Sequence, residues 1–257
     1  MRTPGADPGA PTDNGRPLGG ARWIPELGPG SGRYRLRFAR TEEDLEAVFR
    51  LRFQVFNLEL GEGLQASYST GRDEDQYDAR CHHLLIEHEG TGRIVGTYRL
   101  MTQRMAGTAG FYSEAEFHLE AIPPWILDEG VELGRACVAS DHRSGRVIYL
   151  LWKGIAQYMA YNQLRYLFGC CSVPATDPGV GLKLQVQLAD EGCLAEGFLS
   201  RATRPCSCQA ATMADQEVLL PPLFKVYLDM GAKVCSEPAI DREFGVVDFL
   251  IVLDVEK

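Results

Sequence analysis

The segment from residue 130 to 174 constrains the fold most, because strand-like and helix-like patterns follow one another around a single basic turn. "VELGRACVA" predicts a strand, and a turn with one glycine comes next. "RVIYLLWKGIAQYMAYNQ" then predicts a helix that is apolar around most of its circumference, and "RYLFGCCSV" predicts a buried strand. We expect such a helix to pack on a sheet at one side and against more protein at the other.

The remaining patterns supply more elements of both kinds. "YRLRF" alternates as a strand does, and the segment from Thr41 to Leu60 predicts an amphipathic helix in which Thr41 is the N-cap and Asp44 completes a capping box. "HHLLIEHE" and "RIVGTYRLM" predict a hairpin, and "FGVVDFLIVLDV" predicts the last strand. The predicted fold class is α/β or α+β, with a mixed central sheet flanked by helices.

The chain of 257 residues is long enough to bury a substantial single core. Residues 1–32 are rich in Gly, Pro, Asp and Arg and lack apolar periodicity, which predicts a mobile tail that contributes nothing to the core. The domain is therefore expected to occupy residues 33–257.

The net charge and the lengths of the apolar segments limit the possible partners and the expected location of the protein. A net charge of -9 argues against nucleic acid as the main partner, because phosphate binding needs a cationic surface. The apolar runs fall short of the ~20 residues that cross a bilayer. The start "MRTPGADPGAP" has no hydrophobic signal core, so a cytoplasmic location is expected.

The eight cysteines suit a reducing compartment as single thiols, since they form no paired C-x-x-C motifs. The nearest group to a ligand cluster is Cys81-His82-His83, and strand alternation would point the two histidines to opposite faces. We predict a structural role for this group, and no metal site.

Two sets of residues resemble known families. The order of elements resembles the Gcn5-related N-acetyltransferase fold, and "LRFQVF", "DQYDA", "YRLM" and "ELGR" resemble the motifs of acyl-homoserine-lactone synthases in order. The positions that match these synthases are Arg52, Val55, Phe56, Asp75, Asp78, Arg99, Glu132 and Arg135.

A closer resemblance covers residues 34–250. "CHHLLIEH", "TGRIVGTYRL", "GFYSEAEF", "ELGRACV", "RSGRVIYLLWKGIAQY" and "LPPLFKVYLDMGAKVCSEPAIDREFG" resemble the ornithine-lipid N-acyltransferases, also called hemolysin-like. This resemblance implies transfer of a 3-hydroxylated fatty acyl group from acyl carrier protein to the α-amine of ornithine, the first step of ornithine lipid synthesis. It implies no cofactor beyond the donor's acyl-phosphopantetheine. Because the product is amphiphilic, peripheral contact with the inner membrane face is expected.

Amide formation from a thioester needs a neutral amine, so a carboxylate that accepts its proton would accelerate the reaction. Glu132 is the candidate base. Arg135 would either position Glu132 or contact the acyl donor. The alternative is an ion pair between Glu132 and Arg135 that holds the strand ends together. On a regular strand Glu132 and Arg135 face opposite sides unless a bulge intervenes.

Amides near Ala136 to Val138 could stabilise the oxyanion of the tetrahedral intermediate if the strand splays from its neighbour. Tyr227 could protonate the thiolate or be a packed helix tyrosine.

The turn before the predicted helix bears on the acyl donor. Its pattern is His142-x-x-Gly145-x-Val147, in which one of the two small residues typical of coenzyme A sites is replaced. This favours a donor with one phosphodiester, such as a carrier-protein arm. Positions that could meet acidic acyl carrier protein are Arg143, Gly145, Arg146 and Lys153, and the alternative is a solvated helix start.

The acceptor residues carry alternatives as well. Asp75 and Asp78 could hold the cationic groups of a diamino acid, or belong to a solvated loop. Arg52 and Arg99 could bind the substrate carboxylate, or fasten the loop by pairing with those aspartates. The resemblance adds Phe56 to the substrate-binding set. The aromatic residues Phe111, Tyr112 and Phe117 could line an acyl tunnel or be plain core.

Other functions stay open at this point. The same chemistry could acylate another amino acid such as glycine, or make a homoserine lactone, although the late "LPPL" region resembles the lipid enzymes. A carrier-protein-binding or membrane-active protein without catalysis is the alternative from a different class. The sequence shows no cationic amphipathic lytic segment in its favour.

Overall fold

The structure is a computed structural model that describes residues 24–27, 30–209, 211–215 and 218–256. Most of the predicted tail, residues 1–23 and 28–29, lies outside the described residues. Within the tail, Ile24 and Leu27 pack partly buried against the main core, and the Ser31 hydroxyl accepts a hydrogen bond from Arg146. The expectation that the tail contributes nothing to the core is wrong at these positions, because their apolar side chains are covered by the domain.

Eight strands and six helices make up the regular structure of the described residues. They are β1 (Tyr34–Phe38), α1 (Glu42–Arg52), β2 (His82–His88), β3 (Arg93–Thr102), α2 (Gln103–Ala106), α3 (Pro124–Asp128), β4 (Gly130–Val138), α4 (Arg146–Asn162), β5 (Tyr166–Pro174), α5 (Pro178–Asp190), α6 (Pro222–Asp229), β6 (Lys233–Val234), β7 (Ala239–Asp241) and β8 (Val246–Asp254). Helix α1 continues as a π-helical segment, Phe53–Leu60. The predicted capping box of Thr41 and Asp44 is confirmed.

All eight strands form one sheet in the order β1-β2-β3-β4-β5-β8-β6, and β7 also pairs with β8. The pair β4 and β5 is parallel, and the other strand pairs are antiparallel. Helix α4 connects the two parallel strands, as a parallel pair requires a long crossover. The mixed central sheet flanked by helices confirms the predicted fold class.

Helix α4 packs on the sheet through a close approach at Gly154. A Cβ atom at this position would lie 2.8 Å from Leu84, so a larger residue would push the helix away from β2. On the outer side Tyr149, Lys153 and Ala156 are exposed. The expectation that protein covers both sides of this helix is therefore wrong along this stripe, which faces solvent.

Strands β4 and β5 diverge after a short ladder. They pair from Gly130 with Tyr166 to Glu132 with Phe168, and β5 then continues beside β8. Gly169 follows the last pair, and a Cβ atom there would lie 2.3 Å from the carbonyl oxygen of Leu133. The close approach of β5 to β4 at the point where they diverge therefore requires glycine.

A bulge shapes β4 just beyond the divergence. Thr97 pairs with Cys137 and Arg99 pairs with Gly134, so two residues of β4 oppose one of β3. Arg135 takes a positive φ of 50° at this bulge. The bulge considered from the sequence is confirmed, and it re-aims the Arg135 side chain.

No helix among the described residues has the length and apolar character needed to cross a membrane.

Candidate active site

A cleft of about 590 Å³ opens where β4 and β5 diverge. It is lined by Phe56, Glu62, Arg99, Tyr112, Leu133, Gly134, Arg135, Cys170, Ser172, Phe244, Val246 and Asp248. A smaller cavity of about 230 Å³ lies next to it and shares Leu133 and Cys170 with it. Gly169 and Tyr227 line this second cavity. Polar and charged groups from several elements therefore meet where β4 and β5 diverge.

Glu132 is buried on β4 and its carboxylate is held by the segment that precedes α3. The backbone N–H of Tyr112 donates to Oε2 at 2.9 Å, and the N–H and hydroxyl of Ser113 donate to Oε1 at 2.8 and 2.6 Å. Burial raises the pKa of Glu132, although these hydrogen bonds act in the opposite direction. Glu132 thus combines increased proton affinity with an anchoring role.

Arg135 points into the cleft and lies 4.4 Å from the centroid of the Phe244 ring. Its nearest carboxylates are those of Asp73 at 3.5 Å and Asp75 at 3.8 Å, and its buried Nε has no hydrogen-bond partner among the described residues. The ion pair between Glu132 and Arg135 considered from the sequence is thus not formed in the described structure. Arg135 therefore lines the cleft with a guanidinium whose carboxylate contacts are long.

Arg52 and Arg99 fasten the acidic loop ahead of β2. Arg52 is fully buried and donates to Asp73 and Asp78 at 2.7 Å each. Arg99 donates to Asp75 at 2.6 Å and to Asp78 at 3.1 Å. Of the two alternatives for these arginines, the structure shows the pairing that fastens the loop.

The same network changes the expectation for the aspartates. Burial raises the pKa of Asp78, but Arg52 and Arg99 outweigh it and hold that pKa well below its usual range. Asp75 and Asp78 are taken up by arginines, so the suggestion that they hold the cationic groups of a substrate loses its basis. The solvated-loop alternative is also wrong for Asp78, which is 3% exposed.

Tyr227 lies on α6 with its hydroxyl 2.8 Å from that of Tyr98. Both rings are buried, and burial raises the pKa of the Tyr227 hydroxyl well above its usual value. The hydroxyl is therefore neutral at physiological pH. Its place at the second cavity is compatible with donation of a proton there.

The predicted donor-binding residues gather at the start of α4. Gly145 is the N-cap with a φ of 81°, which glycine adopts readily. Arg143 pairs with Glu59 and donates from Nε to the carbonyl of Val138 at 3.0 Å. Arg146 donates to Ser31 at 2.7 Å, and Lys153 is exposed further along α4. All four residues are exposed, and Arg143 is the most constrained of them.

The aromatic residues before α3 divide between cleft and core. Tyr112 lines the cleft, whereas Phe111 packs on Phe168 at 5.0 Å and Phe117 is buried. Phe56 lines the cleft on the other side.

The Cys81-His82-His83 group has local contacts. His82 bonds the Tyr158 hydroxyl at 2.9 Å, and His83 bonds the carbonyl of Asp78 at 3.2 Å and packs edge-on to Phe49. Burial lowers the pKa of His83 to about 4, so this ring is neutral. The two rings contact different helices, as alternation along the strand predicts.

Three carboxylates beside the cleft were not singled out from the sequence. Glu116, Asp241 and Asp248 each place an oxygen within 4.8 Å of the others, and Ser172 donates to Asp248 at 2.6 Å. Burial raises the pKa of Asp248 to about 6 and that of Glu116 well above its usual value. The sequence offered one signal for this cluster, which is Asp248 within the apolar run of β8.

Comparisons with known proteins identify the family and the fold. Residues 51–153 match the family model of the acetyltransferase (GNAT) domain. The L-ornithine N(alpha)-acyltransferase of Agrobacterium fabrum (strain C58) is 32% identical over 240 residues, covering 87% of this chain and 82% of that protein. The L-ornithine N(alpha)-acyltransferase of Rhizobium meliloti (strain 1021) is 34% identical over 238 residues, covering 86% and 80%.

Among solved structures, FeeM, an N-acyl amino acid synthase from uncultured soil microbes, has a TM-score of 0.53 at 9% identity, covering 88% of this chain and 94% of FeeM. At this identity the likeness concerns the fold alone. The sequence relatives extend over most of both chains and confirm the resemblance found in the motifs. The chain therefore belongs to the family of the L-ornithine N(alpha)-acyltransferases.

Proposed function

We propose that this protein transfers a 3-hydroxylated fatty acyl group from acyl carrier protein to the α-amine of ornithine. The observation that carries the proposal is the cleft between β4 and β5, where the guanidinium of Arg135 lines the gap in the sheet and has only long contacts to Asp73 and Asp75. An amino-acid carboxylate fits this donor, because guanidinium binds carboxylate through charge-assisted hydrogen bonds. The family relatives named for ornithine support the choice of amine.

The thioester lies in the gap between the two strands, and the amine attacks its carbonyl carbon. A C–N bond forms and the C–S bond breaks, with one proton leaving the amine and one proton reaching the thiolate. The backbone amides of the bulge, at Arg135 and Ala136, stabilise the oxyanion of the tetrahedral intermediate. The bulge leaves these amides at a place where β5 no longer runs alongside. Of the segment expected from the sequence, Ala136 to Val138, the last two residues pair with β3.

Two side chains handle the protons. Glu132 accepts the proton from the amine, directly or through water, and its burial increases its proton affinity. Tyr227 donates a proton to the departing pantetheine thiolate. It recovers a proton from solvent after the free thiol leaves, while Glu132 gives up to solvent the proton that it took from the amine. Arg135 orients the amino acid by binding its carboxylate.

The donor is bound at the start of α4. Arg143, Arg146 and Lys153 attract the acidic surface of acyl carrier protein, and complementary charge speeds such encounters. Val147 replaces the second small residue of a coenzyme A site, which suits a donor with a single phosphodiester. The amphiphilic product then leads to peripheral contact of a cytoplasmic protein with the inner membrane face.

The test is release of free thiol from the donor. Purified protein is incubated with 3-hydroxyacyl carrier protein or the matching acyl-coenzyme A, together with one amine at a time. We expect thiol release with ornithine and a higher kcat/KM for the carrier-protein donor. No release with any amine would overturn the enzyme proposal, and release only with glycine or S-adenosylmethionine would replace ornithine by that substrate.

A further inference from the structure

Three carboxyl groups beside the cleft, two of them buried, take no part in the acyl transfer derived above. Glu116 follows a 3-10 turn, Asp241 ends β7 and Asp248 lies in β8. An oxygen of each lies within 4.8 Å of the others, and Glu116 and Asp248 are 4% and 3% exposed. Asp248 forms part of the cleft wall. The three acidic groups are therefore close together where solvent screens their charge poorly.

The carboxyl groups accept few hydrogen bonds from the part of the chain that the structure describes. Ser172 donates to Asp248 at 2.6 Å, and Asp241 accepts from the backbone N–H groups of Glu243 and Phe244 at 2.8 and 3.1 Å. The Oε2 atom of Glu116 is buried and receives no donor there. Burial and Asp248 raise the pKa of Glu116 well above its usual value, so Glu116 and Asp248 share a proton that a bound cationic group would displace.

Arg135 lines the same cleft as Asp248 and carries a positive charge. Its contacts with Asp73 and Asp75 are long, at 3.5 and 3.8 Å. The cleft therefore has a guanidinium group and the edge of the carboxyl cluster in its lining. A short amino acid with a cationic side chain can pair with both, with its carboxylate at Arg135 and its side-chain ammonium at Asp248 and Glu116.

We propose that Glu116, Asp241 and Asp248 bind the side-chain ammonium of the amino-acid acceptor and so determine its selection. This inference rests on the proposed function, because it concerns the acceptor of the same reaction. It assigns the cation site to this cluster instead of Asp75 and Asp78, whose oxygens are occupied by Arg52 and Arg99. Holding the side-chain amine also leaves the α-amine as the nucleophile.

An ammonium fits the cluster better than a divalent metal ion. Calcium and magnesium ions take about six or more oxygen ligands. Here Ser172 and two backbone amides already occupy oxygens of Asp248 and Asp241. An ammonium needs three acceptors, which is the number of carboxylates present.

The test compares ornithine with 2-aminopentanoate, which has the same carbon chain but no side-chain amine. Steady-state kcat and KM are measured for both amines with wild type, Glu116→Gln and Asp248→Asn. Glu120→Gln is the matched control, because it removes one exposed carboxylate from the same segment. Thermal unfolding verifies that each variant is folded at the assay temperature.

We expect wild type to prefer ornithine by about 100-fold or more in kcat/KM, since a site built for a polar group rejects the analogue that lacks it. Glu116→Gln and Asp248→Asn should reduce that preference at least tenfold, mainly through KM for ornithine, and Glu120→Gln should retain it. A preserved preference, or an equal loss with both amines, would overturn the inference while leaving the transfer activity established.

Two further outcomes separate the explanations. Activity that is lost with a chelator and restored by Mg²⁺ or Ca²⁺ would overturn the ammonium site in favour of a metal site. Absence of thiol release by wild type with every amine would instead overturn the proposed function itself.

Discussion

The hydroxyl of Ser113 lies 2.6 Å from Oε1 of Glu132, and the N–H of Ser113 donates to the same oxygen at 2.8 Å. The residue proposed as the base is thus also the anchor of the segment that carries Tyr112 and Glu116 to the cleft. A loss of activity on changing Glu132 could come from either role. The two roles can be separated, because Ser113 takes part only in the anchoring.

Glu132→Gln should lower kcat about 100-fold or more, because an amide cannot accept the proton. Ser113→Ala removes one hydrogen bond and keeps the carboxylate, so its kcat should stay within about tenfold of wild type. Each variant loses a buried hydrogen bond and should unfold with about 1–3 kcal/mol less free energy. Single-turnover rates and urea unfolding measure the two effects. Equal losses of turnover in both variants would leave Glu132 as an anchor alone.

Arg135 carries backbone strain at its positive φ of 50°. Arg135→Gly should therefore be more stable than Arg135→Ala by about 1 kcal/mol, since alanine retains the steric cost that glycine avoids. Both variants remove the guanidinium and should raise KM for the amino acid alike. Urea unfolding with parallel kinetics checks the pair, and an alanine variant as stable as the glycine variant would contradict the strain.

Asp78→Asn should lower the free energy of unfolding by about 3–5 kcal/mol, because it removes the buried carboxylate that Arg52 and Arg99 share and leaves each of them one partner, Asp73 or Asp75. Glu74 lies on the same loop and pairs with Arg72 at the surface, so Glu74→Gln should change the free energy of unfolding little. The pKa of Asp78 is lower in the folded protein than the value of about 3.9 in an unfolded chain. The ionised Asp78 therefore stabilises the fold above pH ~4, and this contribution is lost as the pH falls further. The asparagine variant should lack this acid-dependent part of the unfolding curve.

Asp248→Asn should have the opposite effect at neutral pH. Burial and the nearby charge of Asp241 raise the pKa of Asp248 to about 6, although Ser172, Glu116 and Arg135 favour its charged form. A raised folded pKa means that stability falls as pH rises from about 4 to about 6. The variant should flatten this part of the curve and be more stable than wild type at pH ~8. Urea unfolding at several pH values measures the difference in stability. A variant that is less stable than wild type at pH ~8 would contradict the raised pKa of Asp248.

The sequence predicted the elements whose signals are local. The capping box at Thr41, the hairpin of β2 and β3 and the helix after Gly145 are set by residues close together in the chain, so pattern and structure agree. Helix α5 was missed because "PGVGLKLQVQLAD" contains two glycines and lies in an otherwise irregular stretch.

The site was less predictable, because it depends on contacts between distant residues. Arg52 and Asp78 are 26 positions apart, and Glu116 meets Asp248 from another segment altogether. The motifs indicated which residues belong to the site but not which of them pair with each other. Only the register of β3 against β4 and the end of the β4–β5 ladder show which donors and acceptors are left unused.

The position of the acyl group on the product tests the central claim most directly. Wild-type protein is given 3-hydroxyacyl carrier protein and ornithine, and the product is analysed by tandem mass spectrometry against synthetic Nα-acyl and Nδ-acyl ornithine. The account predicts Nα-acyl ornithine alone, formed in equal amount to the free carrier thiol. Nδ-acyl ornithine, or free fatty acid with no amide, would contradict it.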